Sequence, residues 1–434
     1  MANLFIKQDK KAGFYLSKIR YLFIFVVRSL LFYLMGIRKT SLQILLFAGL
    51  ALLSSCGGNS LKWIYFTDTH FPDSDPDVAD FFEPVCRSEG VKYVFWGGDA
   101  VARYASPDSA WAQQCAVEEQ ICRFAAVFNV RGNHDFSRRL RQGEDGPGCT
   151  LSQEETARRM KAFRPQYVIT NDKDPGACYY YVDDAGAKVR FLVLDTHVVE
   201  NEQAPMGTRY ALSDIQTEWV CERAIASMSD GWSLVIFSHV PVWWMAYRTP
   251  YVEAVERIRR TASDQGIPIL TWFAGHIHRD SQLAEDGMWE ITNSCYTPTF
   301  SRVQMFDSEP TDREGVNRPS FDVVTLDSAH RILRCRRIGA GHSRTFHLRP
   351  IMLQAGSSKS LRPLMKKVER WECLDAFGSY LKGESWSYSS KVASFDEKSR
   401  RVIGLEAGES MVVAISPDGE RESFLVRVNP SDQK

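Results

Sequence analysis

Short unbroken apolar runs recur along the chain, and each gives way abruptly to polar residues. Trp63-Ile64-Tyr65-Phe66, Tyr93-Val94-Phe95-Trp96, Phe191-Leu192-Val193-Leu194, Leu234-Val235-Ile236-Phe237 and Ile269-Leu270-Thr271-Trp272-Phe273 all have this form. Runs of this length, rich in β-branched and aromatic residues, predict strands covered on both faces. Helical spacing lies between them. Val78, Phe81, Phe82 and Val85 recur at helical intervals, with Gly90 as a stop. Ser213-Asp214-Ile215-Gln216 has the form of a capping box, with Ile215, Trp219 and Met228 following on one face. Val252, Val255 and Ile258 make a third stripe that ends near Gly266. This alternation, from Leu61 to about Gly341, predicts a layered α/β domain. Phe321 to Leu326 and Ile332 to Ile338, joined by Ser328-Ala329-His330, predict a closing hairpin. The polar stretch from Ser301 to Pro319 predicts a surface loop and a candidate rim of a site.

After about residue 345 the period shortens. Val392-Ala393-Ser394-Phe395, Val402-Ile403-Gly404-Leu405, Met411-Val412-Val413-Ala414-Ile415 and Phe424-Leu425-Val426-Arg427-Val428 are separated by turn signals such as Pro417-Asp418-Gly419. Short strands with regular turns predict a small all-β sandwich. Over roughly residues 348–429 the pattern resembles bacterial immunoglobulin-like modules of cell-surface proteins; the stretch from Met365 to Tyr380 fits that pattern poorly.

The apolar runs also locate the chemistry. Asp68-Thr69-His70, Gly97-Gly98-Asp99, Gly132-Asn133-His134-Asp135, Ser238-His239 and Gly275-His276-Ile277-His278 each follow directly on one. In layered α/β folds, ligands bind beyond the carboxyl ends of strands, so this placement brings distant residues to one sheet edge. The clusters hold five of the nine histidines, a concentration that random core or surface positions would not produce. Setting His134 and Asp135 aside, they supply two carboxylates, one amide and four imidazoles able to ligate metal. Carboxylate, imidazole and amide oxygen suit Mn, Fe or Zn.

The order and wording of the five clusters resemble the calcineurin-like metallophosphoesterase superfamily. That resemblance implies a four-layer sandwich, two mixed sheets flanked by helices, over residues 61–345. It implies two divalent metal ions, the first held by Asp68, His70 and His278 and the second by Asn133, His239 and His276, with Asp99 bridging. A hydroxide shared between the metals would be the nucleophile, and the substrate a phosphoric monoester or diester. His134 would protonate the leaving oxygen or stabilise the transition state, and Asp135 would orient His134 and raise its basicity. The Gly-Asn-His-Asp cluster, Leu194-Asp195-Thr196, Gln216-x-x-Trp219 and the His239 loop look most like the branch containing cyclic-nucleotide phosphodiesterases. Ala102 stands where purple acid phosphatases place a metal-binding tyrosine, which argues against a tyrosine–iron centre.

Further candidates lie nearby. His197 ends another apolar run, as a substrate contact or a structural residue. Arg131 and Arg103 are candidates for binding phosphate, against the ordinary role of solvated arginines. Trp243-Trp244 either line a groove or pack in the core, and His330, His342 and His347 fall outside the clusters.

The N-terminus sets the expected compartment. Met35 to Lys39 is basic, Leu42 to Leu53 apolar, and Leu53-Ser54-Ser55-Cys56 resembles a bacterial lipobox, so residues 35–56 read as a lipoprotein signal. Cys56 would then carry a lipid, anchoring the protein to a membrane of the bacterial cell envelope. Residues 1–34 read as an artefact of the start site or an extended leader. Ten cysteines minus Cys56 leave an odd nine, without a Cys-x-x-Cys pair, and most are expected in the core. Cys115 and Cys122, two helical turns or about 10 Å apart, are too distant to bridge. Zero net charge gives no support to a nucleic-acid partner. The competing reading is a surface binding protein, with a relict metal site and a functional immunoglobulin-like module.

Overall fold

The structure, a computed structural model, describes residues 60–71, 77–101, 106–138, 149–203, 208–245, 249–296, 320–375 and 390–430. The leader with Cys56, Ala102, Arg103 and the loop from Ser301 to Pro319 lie outside the described residues. Among the described residues no helix is long and apolar enough to cross a membrane.

Strands β1 (Ser60–Phe66), β2 (Tyr93–Trp96) and β3 (Ala126–Asn129) pair in parallel. The chain then builds a second sheet from β4 (Ile169–Thr170), β5 (Tyr180–Asp184), β6 (Val189–Val193), β7 (Ser233–Phe237), β8 (Ile269–Ala274), β9 (Ser281–Glu285) and β10 (Met288–Thr292). Its order is β9-β10-β8-β7-β6-β5-β4, parallel from β10 to β6 and antiparallel at both ends. The expected hairpin of β11 (Phe321–Asp327) and β12 (Ile332–Ile338) returns to the first sheet, where β11 lies antiparallel to β1.

Period-two alternation explains why the strand sequences are apolar throughout. Trp63 and Tyr65 of β1 point into a core between the two sheets, with Phe191 and Val193 of β6 and Phe237 of β7 facing them. Phe95 and Phe237 stack across this interface with ring centroids 4.0 Å apart. Ile64 and Phe66 point the other way, into a cluster with α1 (Val78–Glu89) and α2 (Pro107–Ile121). Leu234 and Ile236 of β7 likewise pack against other helices. After α3 (Gln153–Met160), these are α4 (Asp214–Trp219), which runs on as a π-helix over Val220–Ile225, and α5 (Thr249–Asp264).

The local signals act as their chemistry predicts. Gly90 closes α1 in the left-handed conformation, with φ of 69°. Ser213 caps α4 by accepting the N–H of Gln216. The Gln216 side chain does not complete the box. It brackets the backbone of Asp195 instead, accepting from its N–H at 2.8 Å and donating to its carbonyl at 2.8 Å.

The C-terminal strands carry on the same pairing. The boundary expected between residues 345 and 348 falls inside one strand, β13 (Arg344–Gln354), which pairs with β12 on one side. After β14 (Ser358–Ser360), β15 (Arg370–Asp375), β16 (Ala393–Asp396), β17 (Arg401–Gly404) and β18 (Gly408–Ile415), the last strand, β19 (Arg421–Asn429), lies parallel to β13 on its other side. Among the described residues the first sheet therefore has nine strands, β15-β18-β19-β13-β12-β11-β1-β2-β3. Strands β14, β17 and β16 form a small separate sheet, and Leu353, Val402, Val412 and Phe424 share an apolar cluster. This region is compatible with a β-sandwich, one that takes its larger sheet from the α/β layer. Cys86, Cys178, Cys221, Cys295 and Cys335 are free and buried.

Candidate metal centre

Loops leaving the carboxyl ends of β1, β2, β3, β7 and β8 meet at one edge of the sheets. Backbone hydrogen bonds stitch them together: Asp68 donates to the Gly98 carbonyl at 2.9 Å, His70 to that of Asp99 at 3.0 Å, and Gly275 to that of His239 at 2.9 Å. The turns are tight. Asp68, His70, Asp99, His276 and His278 all hold positive φ, between 49° and 70°. Non-glycine residues adopt that region at a cost, and such strain persists only where the surroundings impose it, commonly at functional sites. Two glycines permit the approach. A Cβ on Gly132 would overlap the backbone and carboxylate of Asp99, and one on Gly275 would overlap Thr67 and the Asp68 carboxylate.

The seven candidate ligands converge. Asp68, His70, Asp99 and His278 present donor atoms within 4.8 Å of one another, and so do Asp99, His239 and His276. Asp99 belongs to both groups. His70 Nε2 lies 3.0 Å from His278 Nε2, and Asp68 Oδ1 lies 3.2 Å from the same His278 nitrogen. His239 Nε2 lies 3.2 Å from Asp99 Oδ2. Asn133 Oδ1 sits 3.1 Å from His239 Nε2 and 2.8 Å from His276 Nδ1. His239 keeps its other nitrogen 2.8 Å from the Gly97 carbonyl, which orients the ring.

This donor set fits metal ions. Asp68 is fully buried, and its Oδ1 accepts no hydrogen bond, although it faces ring nitrogens. Two buried carboxylates in one pocket repel and need cations. With protons as the only cations, the imidazoles supply them. Burial opposes ionisation of Asp68, but the adjoining His278 outweighs it and holds the carboxyl at about 2. Asp99 is likewise held far below its usual range against burial, by His134 and His239. Burial opposes a charge on His239, yet Asp99 raises it to about 9, whereas burial and the His239 charge push His276 down to about 3.

His134 lies beside the donors. Its Nε2 is 3.8 Å from Asp99 Oδ2, its ring is 4.7 Å from that of His70, and its backbone N–H donates to Asp99 Oδ1 at 2.7 Å. Asp135, expected to orient His134, is engaged with backbone groups. Its oxygens accept the backbone N–H groups of Asp99 at 3.1 Å, Ala100 at 2.7 Å and Gly132 at 2.8 Å. The carboxylate thus ties the β3 loop to the β2 loop, because buried backbone donors demand acceptors.

Arg131 is buried and turned away from a phosphate-binding role. Its guanidinium donates to Gln153 at 2.8 Å and to Asp195 at 3.2 Å. His197 is buried as well, with its ring centroid 5.8 Å from that of His239. Trp243 is core, while Trp244 is exposed, 6.0 Å from the His276 ring. His330 pairs with Asp327 and His347 with Glu422, at 2.8 and 2.7 Å. The sequence reading did not single out Tyr210, Glu290 or Cys295. Tyr210 places its ring 5.2 Å from His276. Glu290 accepts the N–H groups of Val242 and Trp243, bracing the loop beyond His239. Cys295 lies three residues beyond β10, whose Met-Trp-Glu-Ile-Thr sequence is interrupted by Glu290, so the unbroken apolar run that located the other clusters is absent there.

Fold and donors together define an α/β protein with a candidate binuclear metal centre at the carboxyl ends of its parallel strands. The chain belongs to the calcineurin-like phosphoesterase family, whose profile matches residues 61–280. That family implies divalent metal ions and hydrolysis of phosphoester bonds. Among solved structures it is similar to a dimetal phosphatase from Danio rerio, at 14% identity and a TM-score of 0.44, covering 66% of this chain and 98% of the other. It is also similar to GAP50, the anchor in the inner membrane complex of Plasmodium, at 13% identity and a TM-score of 0.38, covering 64% and 84%. A third is the phosphopantetheinyl hydrolase of Mycobacterium tuberculosis, at 13% identity and a TM-score of 0.30, covering 59% and 100%. The curated proteins contain no match to the chain.

Proposed function

We propose that this protein is an exported, lipid-anchored phosphoric ester hydrolase that acts on a phosphomonoester or phosphodiester through two divalent cations. One observation carries the reading: two clusters of donors share the Asp99 carboxylate. In this reading Asp68, His70 and His278 hold one cation, Asn133, His239 and His276 the other, and Asp99 bridges them. The bound cations would lower the pKa of the attacking water and neutralise charge on the phosphoryl oxygens.

The remaining chemistry belongs to the chain. His134, only partly buried, delivers a proton to the leaving oxygen. Asp135 holds the loops of Asp99 and His134 in register. The Gly97 carbonyl and Glu290 keep the His239 loop in place. Trp244 and Tyr210 flank His276 and form an aromatic wall beside the reacting centre. The cyclic-nucleotide phosphodiesterase-like assignment is part of this reading. So are the four-layer order, supported by apolar clusters on both faces of each sheet, and a spacer or docking role for an immunoglobulin-like C-terminal region.

The test is hydrolysis of p-nitrophenyl phosphate and its bis ester by the purified protein supplied with Mn, Zn, Fe or Ni. Turnover that chelation abolishes is expected, and the ratio of the two rates assigns the ester class. No turnover with any metal overturns the reading. For the anchor, intact mass of the membrane-extracted protein should show a lipid on Cys56, and an unmodified N-terminus overturns that part.

A further inference from the structure

Cys295 stands against the donor cluster with no place in the family's ligand pattern stated above. Its Sγ and the ring nitrogens of His70 and His278 all lie within 4.8 Å of one another. The residue is fully buried. Asp68 Oδ1, the buried acceptor without a hydrogen bond, lies 3.2 Å from His278 Nε2, in the adjoining donor group that shares His70 and His278. A thiol beside two imidazoles makes a donor set suited to a thiophilic cation.

The backbone around Cys295 is tied to the metal-bearing loops on three sides. The N–H of Asn293 donates to the carbonyl of Ala274 at 3.0 Å, two residues before His276. Ser294 N–H donates to Asp280 Oδ1 at 2.9 Å, two residues after His278. Tyr296 N–H donates to the Thr67 carbonyl at 2.8 Å, directly before Asp68. Donors around one tetrahedral zinc, with bonds of about 2.3 Å to sulfur and about 2.0–2.1 Å to nitrogen, sit roughly 3.3 to 3.6 Å apart, a span inside the 4.8 Å limit on the cluster.

We infer that Cys295 Sγ is a further ligand of the cation held by Asp68, His70 and His278, an inference that rests on the two-metal reading. On binding, the S–H bond breaks, the proton passes to solvent and the sulfur lone pair forms the bond to the metal, with no change in oxidation state. The thiolate adds a negative charge and a soft donor. The first position is thereby biased towards Zn or Fe over Mn.

Two measurements test this. Zinc-edge X-ray absorption of the unaltered protein loaded with zinc should show a sulfur scatterer at about 2.3 Å beside nitrogen and oxygen at about 2.0–2.1 Å. A shell of nitrogen and oxygen alone overturns the inference and needs no variant that must fold. Cobalt-loaded protein should also show a thiolate-to-metal charge-transfer band in the near ultraviolet. Cys295→Ser should abolish the band and weaken zinc binding by about 10–100-fold. Cys335→Ser, a buried thiol elsewhere in the core, should leave the band intact. A band that persists in Cys295→Ser overturns the inference. The two readings separate cleanly: turnover without sulfur in the shell sinks the thiolate and spares the hydrolase, and sulfur without turnover does the reverse.

Discussion

The carboxylate of Asp135 accepts the backbone N–H of Asp99 at 3.1 Å, so the fourth residue of the Gly-Asn-His-Asp cluster holds the loop of the carboxylate common to both donor groups. Two more N–H groups, of Ala100 and Gly132, end on the same carboxylate. Asp135→Asn replaces one acceptor oxygen by a donor and leaves at least one buried amide without a partner. A stability loss of about 1–3 kcal/mol is expected. Metal affinity should fall by about 10–100-fold, because support for the ligand loop is lost. Metal analysis and thermal unfolding check both. Full metal occupancy at unchanged affinity would show that the loops need no such tie.

His134 makes the opposite prediction. Its side chain is only partly buried, and under the proposed assignment it holds no cation. His134→Ala should keep both metals and lose about 10²–10⁴ in kcat, the usual range for a positioned acid. The loss should be smallest for p-nitrophenolate, a good leaving group, and largest for alkyl phosphates. Equal losses across leaving groups would remove the general-acid role.

Metal uptake should depend on pH through His239. Its ordinary value of 6.5 is raised to about 9 against burial, chiefly by Asp99. The proton is thus held in the metal-free protein until pH approaches about 9, and it must leave before the ring can bind a cation. Apparent affinity should climb from pH 6.5 towards 9, with proton release measured by titration calorimetry in buffers of different ionisation heat. Uptake without proton release across this window contradicts the assignment of His239 as a ligand.

His197 sets an acid limb. Burial pushes it from 6.5 to about 4, a depressed value for a base, so the fold favours its neutral form. The stability it contributes is present above pH 6.5 and is lost as pH falls towards 4. His197→Gln should flatten that part of the stability curve, read from denaturant midpoints at successive pH values. An unchanged slope would place the acid sensitivity elsewhere.

Gly132 has no room for a side chain, since a Cβ would meet Asp99. Gly132→Ala should therefore lose metal binding as well as stability. Gly186→Ala, on a surface turn, serves as the control. If Gly132→Ala binds metal normally, the loops are less closely packed than the structure shows.

What the linear chain determined is the set of parts. Runs such as Tyr93–Trp96 and Leu234–Phe237 are apolar at every position because both faces of each strand are covered, and that information is local. The five clusters were legible for the same reason, each being a polar loop that starts where such a strand stops. Pairings between side chains and distant backbone groups were not local. Nothing near Asp135 in sequence reveals that Ala100 and Asp99 turn their amides towards it. Gln216 looked like half of a capping box until Asp195 claimed it, and Arg131 looked solvated until Gln153 and Asp195 enclosed it. The continuity of β13 with both β12 and β19 was hidden likewise, because strand patterns encode which face is buried but not which neighbour supplies the hydrogen bonds. Cys295 was hidden altogether: Glu290 interrupts the strand before it, and only the folded chain set its sulfur beside His70 and His278.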